Sequence, residues 1–199
     1  GGQSSGLMSF LQVGDRAAGA IRSGGTTRRA AKMVILDVDH PDIESFVNWK
    51  KVEEEKVASL VAGSTTIKRC LLELNNSLSK GEKAKSSPII AEIVQNSLEE
   101  GVPAGLLQRV LHGKGKFSPE DVEMFDTDWQ GEAYSTVSGQ NSNNSVRLSN
   151  NFMDAVEEDK AWKLRPRAGF SEEEQPSKEI SSTKLWDDIS EAAWSCADP

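Results

Sequence analysis

The chain has 199 residues, 37% of them hydrophobic and 27% charged, with a formal net charge of −8. That length suits one ordinary α/β-sized domain with a buried core, while the acidic balance excludes a duplex nucleic-acid binder, which needs a cationic face to displace phosphate counterions. Cys70 and Cys196 have no second cysteine at metal-ligand spacing, and no signal peptide or bilayer-length apolar run is visible, so the expected setting is cytoplasmic, without a metal, a disulfide framework or a membrane partner.

In chain order, Gly1-Gly2-Gln3-Ser4-Ser5-Gly6 is a small-residue loop without an initiator methionine, and reads as a cut through a longer polypeptide. Leu7, Phe10, Leu11, Ala17, Ala18 and Ile21 recur at helical spacing. Ser23 to Ala31 breaks that pattern, and Met33-Val34-Ile35-Leu36, extended by Val38, predicts a short strand buried on both faces. Asp39-His40-Pro41-Asp42 predicts a helix start carrying Ile43, Phe46 and Val47, with a further helical stretch from Lys56 to Val61.

Residues 64–131 differ in character: Ile67, Leu71, Leu74 and Leu78 predict a helix, 79–87 a polar lysine-bearing link, and Pro88 to Leu98 and Pro103 to Leu111 two more helices. They have the look of a helical insertion between segments 1–63 and 132–199, with Trp129 as its expected anchor. Strand patterns return at Ala133 to Val137 and at Ser145 to Leu148. Asn150 or Asn151 is the expected cap of a helix carrying Phe152, Met153 and Val156. Ala161 to Leu164 alternates like a strand, 165–180 reads as a charged loop, and Ser182 is the expected cap of an amphipathic helix through Trp194. Alternating strands and helices give an α/β fold class.

Chemistry is most concentrated at Gly24, Gly25, Thr26, Thr27, Arg28 and Arg29. Paired glycines let main-chain N–H groups approach an anion, threonines supply hydroxyls, and adjacent guanidinium forks suit a phosphate or a base edge. A glycine turn with solvated arginines is the plainer alternative, and the segment matches neither a Walker loop nor a dinucleotide fingerprint. Gly2, Ser4, Ser5 and Gly6 could cradle a phosphate or serve as a linker. Gln140 to Ser145 places six amide and hydroxyl side chains before a strand, to hold a ligand or merely to turn the chain. Asp126 and Asp128 read as solvated loop acids, His40 as part of a cap, His112 as exposed, and Cys196 as a thiol without a basic activator.

From Ser23 to Val34, continued by Leu36-Asp37-Val38-Asp39-His40-Pro41-Asp42-Ile43, the sequence resembles the large catalytic chain of ribonucleotide reductases. Gly2 to Phe10 resembles that family's sequence just before its interface helix, and Asp128-Trp129, Ser138 to Arg147 and Ala193 to Pro199 resemble its long adenosylcobalamin-dependent branch, class II. The resemblance implies part of a ten-stranded α/β barrel, and an oxidoreductase that reduces ribonucleotide substrates to deoxyribonucleotides for DNA synthesis. Adenosylcobalamin would generate a thiyl radical, and a thioredoxin-like or other dithiol would act as reductant. It also implies that Gly24 to Arg29 form the allosteric loop linking a deoxynucleotide effector to the substrate base, with Arg28 the better match to the family arginine. Gly2, Ser4, Ser5 and Gly6 would end the neighbouring effector loop, and the 7–21 helix would pair two subunits as a homodimer.

The family's radical-bearing Asn-x-Cys-x-Glu motif is absent: Cys70 lies between Lys68 and Leu72 at that spacing, and Cys196 between Trp194 and Asp198. No catalytic residue is therefore assigned, and this segment alone is expected to be inactive. The alternatives are a non-catalytic nucleotide-sensing module and a helical interaction module using residues 64–131.

Overall fold

The computed structural model describes residues 6–21, 32–81, 86–112, 117–166 and 178–199. The chain divides into two units, one formed by Gly1–Lys56 with Thr136–Pro199 and the other by Val57–Ser135.

The first unit is α/β. Its strand β1 (Lys32–Asp37) pairs in parallel with β2 (Ser142–Arg147), Lys32 opposite Ser142 and Asp37 opposite Arg147. The β-branched, apolar run makes β1 a good strand in its own right. The sequence Ser-Asn-Asn-Ser-Val-Arg of β2 has no such run, and it becomes a strand by answering the free N–H and C=O groups of β1. Parallel pairing requires a crossover, which here includes the whole second unit.

Helix α1 (Gly6–Ala20) precedes β1, α2 (Ile43–Val47) follows it, and α3 (Trp49–Ser79) begins immediately afterwards. Beyond the second unit and β2 come α7 (Asn150–Glu157), the antiparallel pair β3 (Ala161–Lys163) and β4 (Glu179–Ser181), and α8 (Ser182–Cys196). The core joins Leu36, Val38, Ile43, Phe46, Phe152, Leu164, Leu185 and Ile189. A fully buried side chain of this size contributes about 1.5–3 kcal/mol. Trp162 meets Phe152 edge-on at 5.1 Å between ring centroids and donates its indole N–H to the Val38 carbonyl at 3.2 Å.

The second unit takes the remainder of α3, then α4 (Pro88–Glu99), α5 (Ala104–His112), a 3-10 turn (Pro119–Asp121) and α6 (Glu132–Thr136). Its own core is built from Cys70, Leu71, Leu74, Ile90, Ile93, Val102 and Leu107. Ser87 starts α4 by accepting from the Ile90 N–H, with Pro88 in the first turn where a missing N–H costs nothing.

Several expectations are corrected. β1 is not buried on both faces: Met33 is 68% and Ile35 60% exposed, because nothing among the described residues layers over that side. The strand pattern at Ala133 to Val137 is instead the short helix α6, where the Ser135 hydroxyl bonds back to the Glu132 carbonyl at 2.7 Å. The helical stretches on either side of Gly63 form one helix, since a single interior glycine costs only about 1 kcal/mol. Ser149 caps α7 in place of Asn150 or Asn151, and Ser181 caps α8 in place of Ser182. Ser182 is buried, its hydroxyl donating within reach of the Ala155 and Lys160 carbonyls at 2.8 and 2.6 Å. Trp129, the expected anchor, is 56% exposed. The expected link at 79–87 and loop at 165–180 fall partly on residues outside those described.

Two separate cores have a testable consequence. Leu71→Ala should weaken the helical unit by about 2–5 kcal/mol, lowering hydrogen-exchange protection in α4. Protection of the β1 amides should be retained, and an equal loss in both places would show a single cooperative core.

Candidate functional site

Gly24 to Arg29, together with Gly2, Ser4 and Ser5, lie outside the described residues. Gly6 is described: it opens α1 with φ +80°, and the next N–H, that of Leu7, is answered by the Asp42 carboxylate at 3.2 Å. The chain that carries Gly24 to Arg29 leaves from the end of α1 and returns at Lys32, the first residue of β1. Those two ends are what the structure resolves into a polar knot.

Its centre is Asp15, on the inward face of α1 and 1% exposed. One carboxylate oxygen accepts the Gly139 N–H at 2.8 Å and the other the Asn141 N–H at 2.9 Å. Two main-chain donors on one carboxylate are charge-assisted bonds, which offset the cost of taking that charge out of water. The Asn141 side chain donates from Nδ2 to the Asp15 carbonyl at 3.3 Å, and the Asn141 carbonyl accepts the Lys32 N–H at 3.0 Å. The turn before β2 is thus tied both to α1 and to the start of β1.

Lys32 adds a third tie, its ammonium donating to the Leu11 carbonyl of α1 and lying 5.7 Å from the Trp49 ring centroid. Burial holds this ammonium below the usual lysine range, while the charge of Asp15 pulls the other way. Trp49 in turn donates to the Ser138 hydroxyl at 3.0 Å, and Glu53 accepts the Ser138 N–H at 2.7 Å. Gly139 has φ +83°, and a Cβ there would come within 3.3 Å of the Trp49 ring. The turn therefore needs glycine for two reasons, conformation and space.

At the far side of β2, the Asp198 carboxylate receives the Asn144 N–H at 3.2 Å and pairs with Lys50. The Ser142 hydroxyl donates to the Asn144 amide oxygen at 2.8 Å. Much of the asparagine-rich segment is thus engaged within the fold. One oxygen is not: Asn141 Oδ1 is buried without a hydrogen-bond partner. Beside the knot, α1, α3 and the 136–138 turn enclose a cleft of about 550 Å³ lined by Gln12, Arg16, Glu53, Lys56, Thr136 and Ser138.

The remaining sequence candidates sit elsewhere. His40 lies in the turn before α2, its Nδ1 accepting the N–H of Asp42, the residue that precedes the helix, at 3.0 Å, and α2 has no side-chain cap bond from Asp42. Asp126 and Asp128 are exposed loop acids that accept nearby main-chain N–H groups. His112 is exposed, Cys70 is buried in the helical unit, and the Cys196 thiol faces the Ala192 and Asp198 carbonyls at 3.2 Å. Among the described residues no group of three or more His, Cys, Asp or Glu could hold a metal, and no helix is long and apolar enough to cross a membrane.

The sequence reading missed Asp15, Lys32, Trp49, Glu53 and Asp198. One signal was available for Asp15: it shares a helix face with Leu11 and Ala18, an acid where an apolar residue is expected.

A family model described as "Ribonucleotide reductase, barrel domain" matches residues 1–199. The chain belongs to the ribonucleotide reductase family. It is 46% identical over its whole length to the vitamin B12-dependent ribonucleotide reductase of Bradyrhizobium diazoefficiens and 45% identical to that of Agrobacterium fabrum, spanning 16% of each. The Streptomyces clavuligerus enzyme of the same name is 36% identical over the whole chain, which covers 14% of that reductase. The match places the polar knot within a reductase barrel-domain segment, between helix α1 and strands β1 and β2.

Gly139→Ala should destabilise by about 1–2 kcal/mol through its left-handed backbone alone, and further through the Trp49 ring. Gly101 has φ +86° with nothing within 4 Å, so Gly101→Ala is the control. Equal shifts of the urea midpoint in the two variants would remove the Trp49 contact as a constraint. A second expectation concerns pH. A lysine depressed in the folded state binds fewer protons there than in the unfolded chain, so its contribution to stability rises with pH up to the ordinary value of 10.5. The midpoint of the unaltered protein should therefore gain on that of Lys32→Met as the pH rises toward the ordinary lysine value of 10.5. A difference that stays flat with pH would show Lys32 titrating as a solvated lysine.

Proposed function

We propose that this chain is the part of a B12-dependent ribonucleotide reductase that carries the loop through which a deoxynucleotide effector sets the choice of ribonucleotide substrate. The supporting observation is the anchoring of the chain around that loop. Gly24 to Arg29 lie between Ala20, where α1 ends, and Lys32, where β1 begins, and the Asp15–Asn141–Lys32 ties hold both ends to one turn. Loops that read ligands work best on a rigid scaffold. Arg28 is assigned to the nucleotide, with Arg29 beside it, and Gly2, Ser4, Ser5 and Gly6 to the neighbouring effector loop.

In this reading the parent polypeptide forms the ten-stranded barrel, β1 and β2 are two of its strands, and residues 64–131 are a helical insertion. The exposed Met33 and Ile35 are then surfaces for barrel neighbours. Helix α1 presents Phe10 at 70% and Val13 at 69% exposure, followed by Ile21 at 62%, a helical stripe that suits pairing with a second copy. The parent would work in the cytoplasm, and a thioredoxin-like or other dithiol would supply its electrons. Adenosylcobalamin would supply the radical. No described residue is assigned to hold it, and among the described residues no group of three or more His, Cys, Asp or Glu could hold a metal.

The test is Arg28→Ala in the full reductase polypeptide. Deoxynucleotide affinity should fall by about ten- to a hundredfold, the loss of one charged hydrogen-bond donor, and the preference among the four ribonucleotides should change. An unaltered effector response would remove the loop assignment.

A further inference from the structure

A cleft of about 390 Å³ lies wholly within the helical unit, between α3, α5 and the stretch 117–125. Small-molecule sites run from about 300 to 1,000 Å³, so this one has room for a bicyclic aromatic guest. Leu60, Gly63 and Ile67 share the face of α3 that lines it, and Phe117 and Phe125 come from the facing stretch. The polar group on this face is already satisfied: the Ser64 hydroxyl donates to the Val61 carbonyl at 3.0 Å and accepts the Phe125 N–H at 3.2 Å. That bond also holds the stretch 117–125 against α3, and it leaves an apolar floor.

Gly63 is the unexplained residue. It stands in the interior of a 31-residue helix, where glycine weakens the helix relative to alanine. Glycine is retained in such places when a neighbour must come close to the backbone, as the Trp49 ring does at Gly139. At Gly63 a Cβ would meet nothing within 4 Å. The protein leaves this space open at a cost to α3, and the space belongs to the cleft.

The charge at the cleft is also unanswered. Arg109 of α5 lies 4.1 Å from the Phe117 ring centroid, a cation–π contact, and forms no ion pair among the described residues. The acids nearby do not answer it: Asp121 closes the capping box with Ser118, Glu120 pairs with Lys68, and Glu123 is exposed. A guanidinium beside an apolar floor recognises a carboxylate carried on a flat ring.

We infer that the helical unit binds a small aromatic carboxylate, its ring laid on the α3 backbone at Gly63 and its carboxylate on the Arg109 guanidinium. The site is independent of the effector-loop reading, since all of its residues belong to the second unit.

The experiment titrates the full reductase polypeptide with 2-naphthoate, followed by the fluorescence of the probe, and maps the site by hydrogen exchange. Saturable binding should slow exchange in α5 and in 117–125. Gly63→Ala should raise the dissociation constant by roughly tenfold or more, because its methyl group occupies the place of the ring, while the urea midpoint is not lowered. Gly105→Ala makes the same change on α5, also with open space around the Cβ but outside the lining, and should leave the dissociation constant unchanged. Arg109→Gln should weaken 2-naphthoate by about tenfold, the loss of one charged hydrogen bond, and leave the neutral 2-naphthamide as it was.

Absence of saturable binding, or equal effects of Gly63→Ala and Gly105→Ala, would overturn the inference. So would an equal loss of both probes in Arg109→Gln. Tighter binding of 2-naphthylmethylammonium than of 2-naphthoate would show Asp121 and Glu123 setting the preferred charge, and would overturn it as well.

Discussion

A single carboxylate organises the first unit of this chain. Asp15 is buried on α1 and accepts two main-chain N–H groups from a turn more than a hundred residues away along the chain. A buried carboxylate is tolerable only with such donors, because its desolvation otherwise exceeds any attraction it can find. The converse holds for the turn: Gly139 and Asn141 would carry orphaned N–H groups without Asp15. Each side satisfies the other, and the result fixes where β2 begins. From that start follows its register with β1, since Lys32 N–H bonds to the Asn141 carbonyl immediately before the ladder opens.

The same tie explains how a separate helical unit can come between two adjacent parallel strands in chain order. Closing a long loop costs only slightly more than closing a shorter one, because the entropy grows with the logarithm of length. A crossover between parallel strands is required in any case. Once Asp15 and the β1–β2 ladder fix the two ends, the intervening chain is free to build a second core around Leu71, Leu74 and Leu107. The exposed side of β1 and the exposed stripe of α1 belong to the first unit.

Much of the fold was legible in the residues themselves. The helical spacing from Leu7 to Ile21, the β-branched run of β1, the Pro-led helices α4 and α5 and the stripe of α8 are local signals, and each gave its element. The errors arise where tertiary context decides. Ala133 to Val137 alternates well enough for a strand, but Glu132–Thr136 closes a turn of helix instead. Ser149 and Ser181 each lie one residue before the polar residues expected to cap, and boundaries of that kind follow from backbone angles that composition does not reveal. For the site, Gly24 to Arg29 stood out by composition, whereas Asp15 looked like any helical acid. Its role becomes visible only when the asparagine-rich turn is folded against it.

That turn also shows why contiguity alone is a poor argument for communication. Asp15 with Asn141, and Asn144 with Asp198 and Lys50, are two sets of bonds joined through the main chain of β2, and together they run from α1 to α3. Connected bonds make a rigid seat, and a rigid seat by itself transmits nothing, since coupling needs an element with two arrangements of different free energy. In this series the groups that are satisfied twice over have no reason to change. Asn141 Oδ1 is different, because its present state is the costly one and a donor would lower it. Any response of this series requires a group whose bonding can differ between two states, and among the described residues Asn141 Oδ1 is a buried polar atom left in that condition.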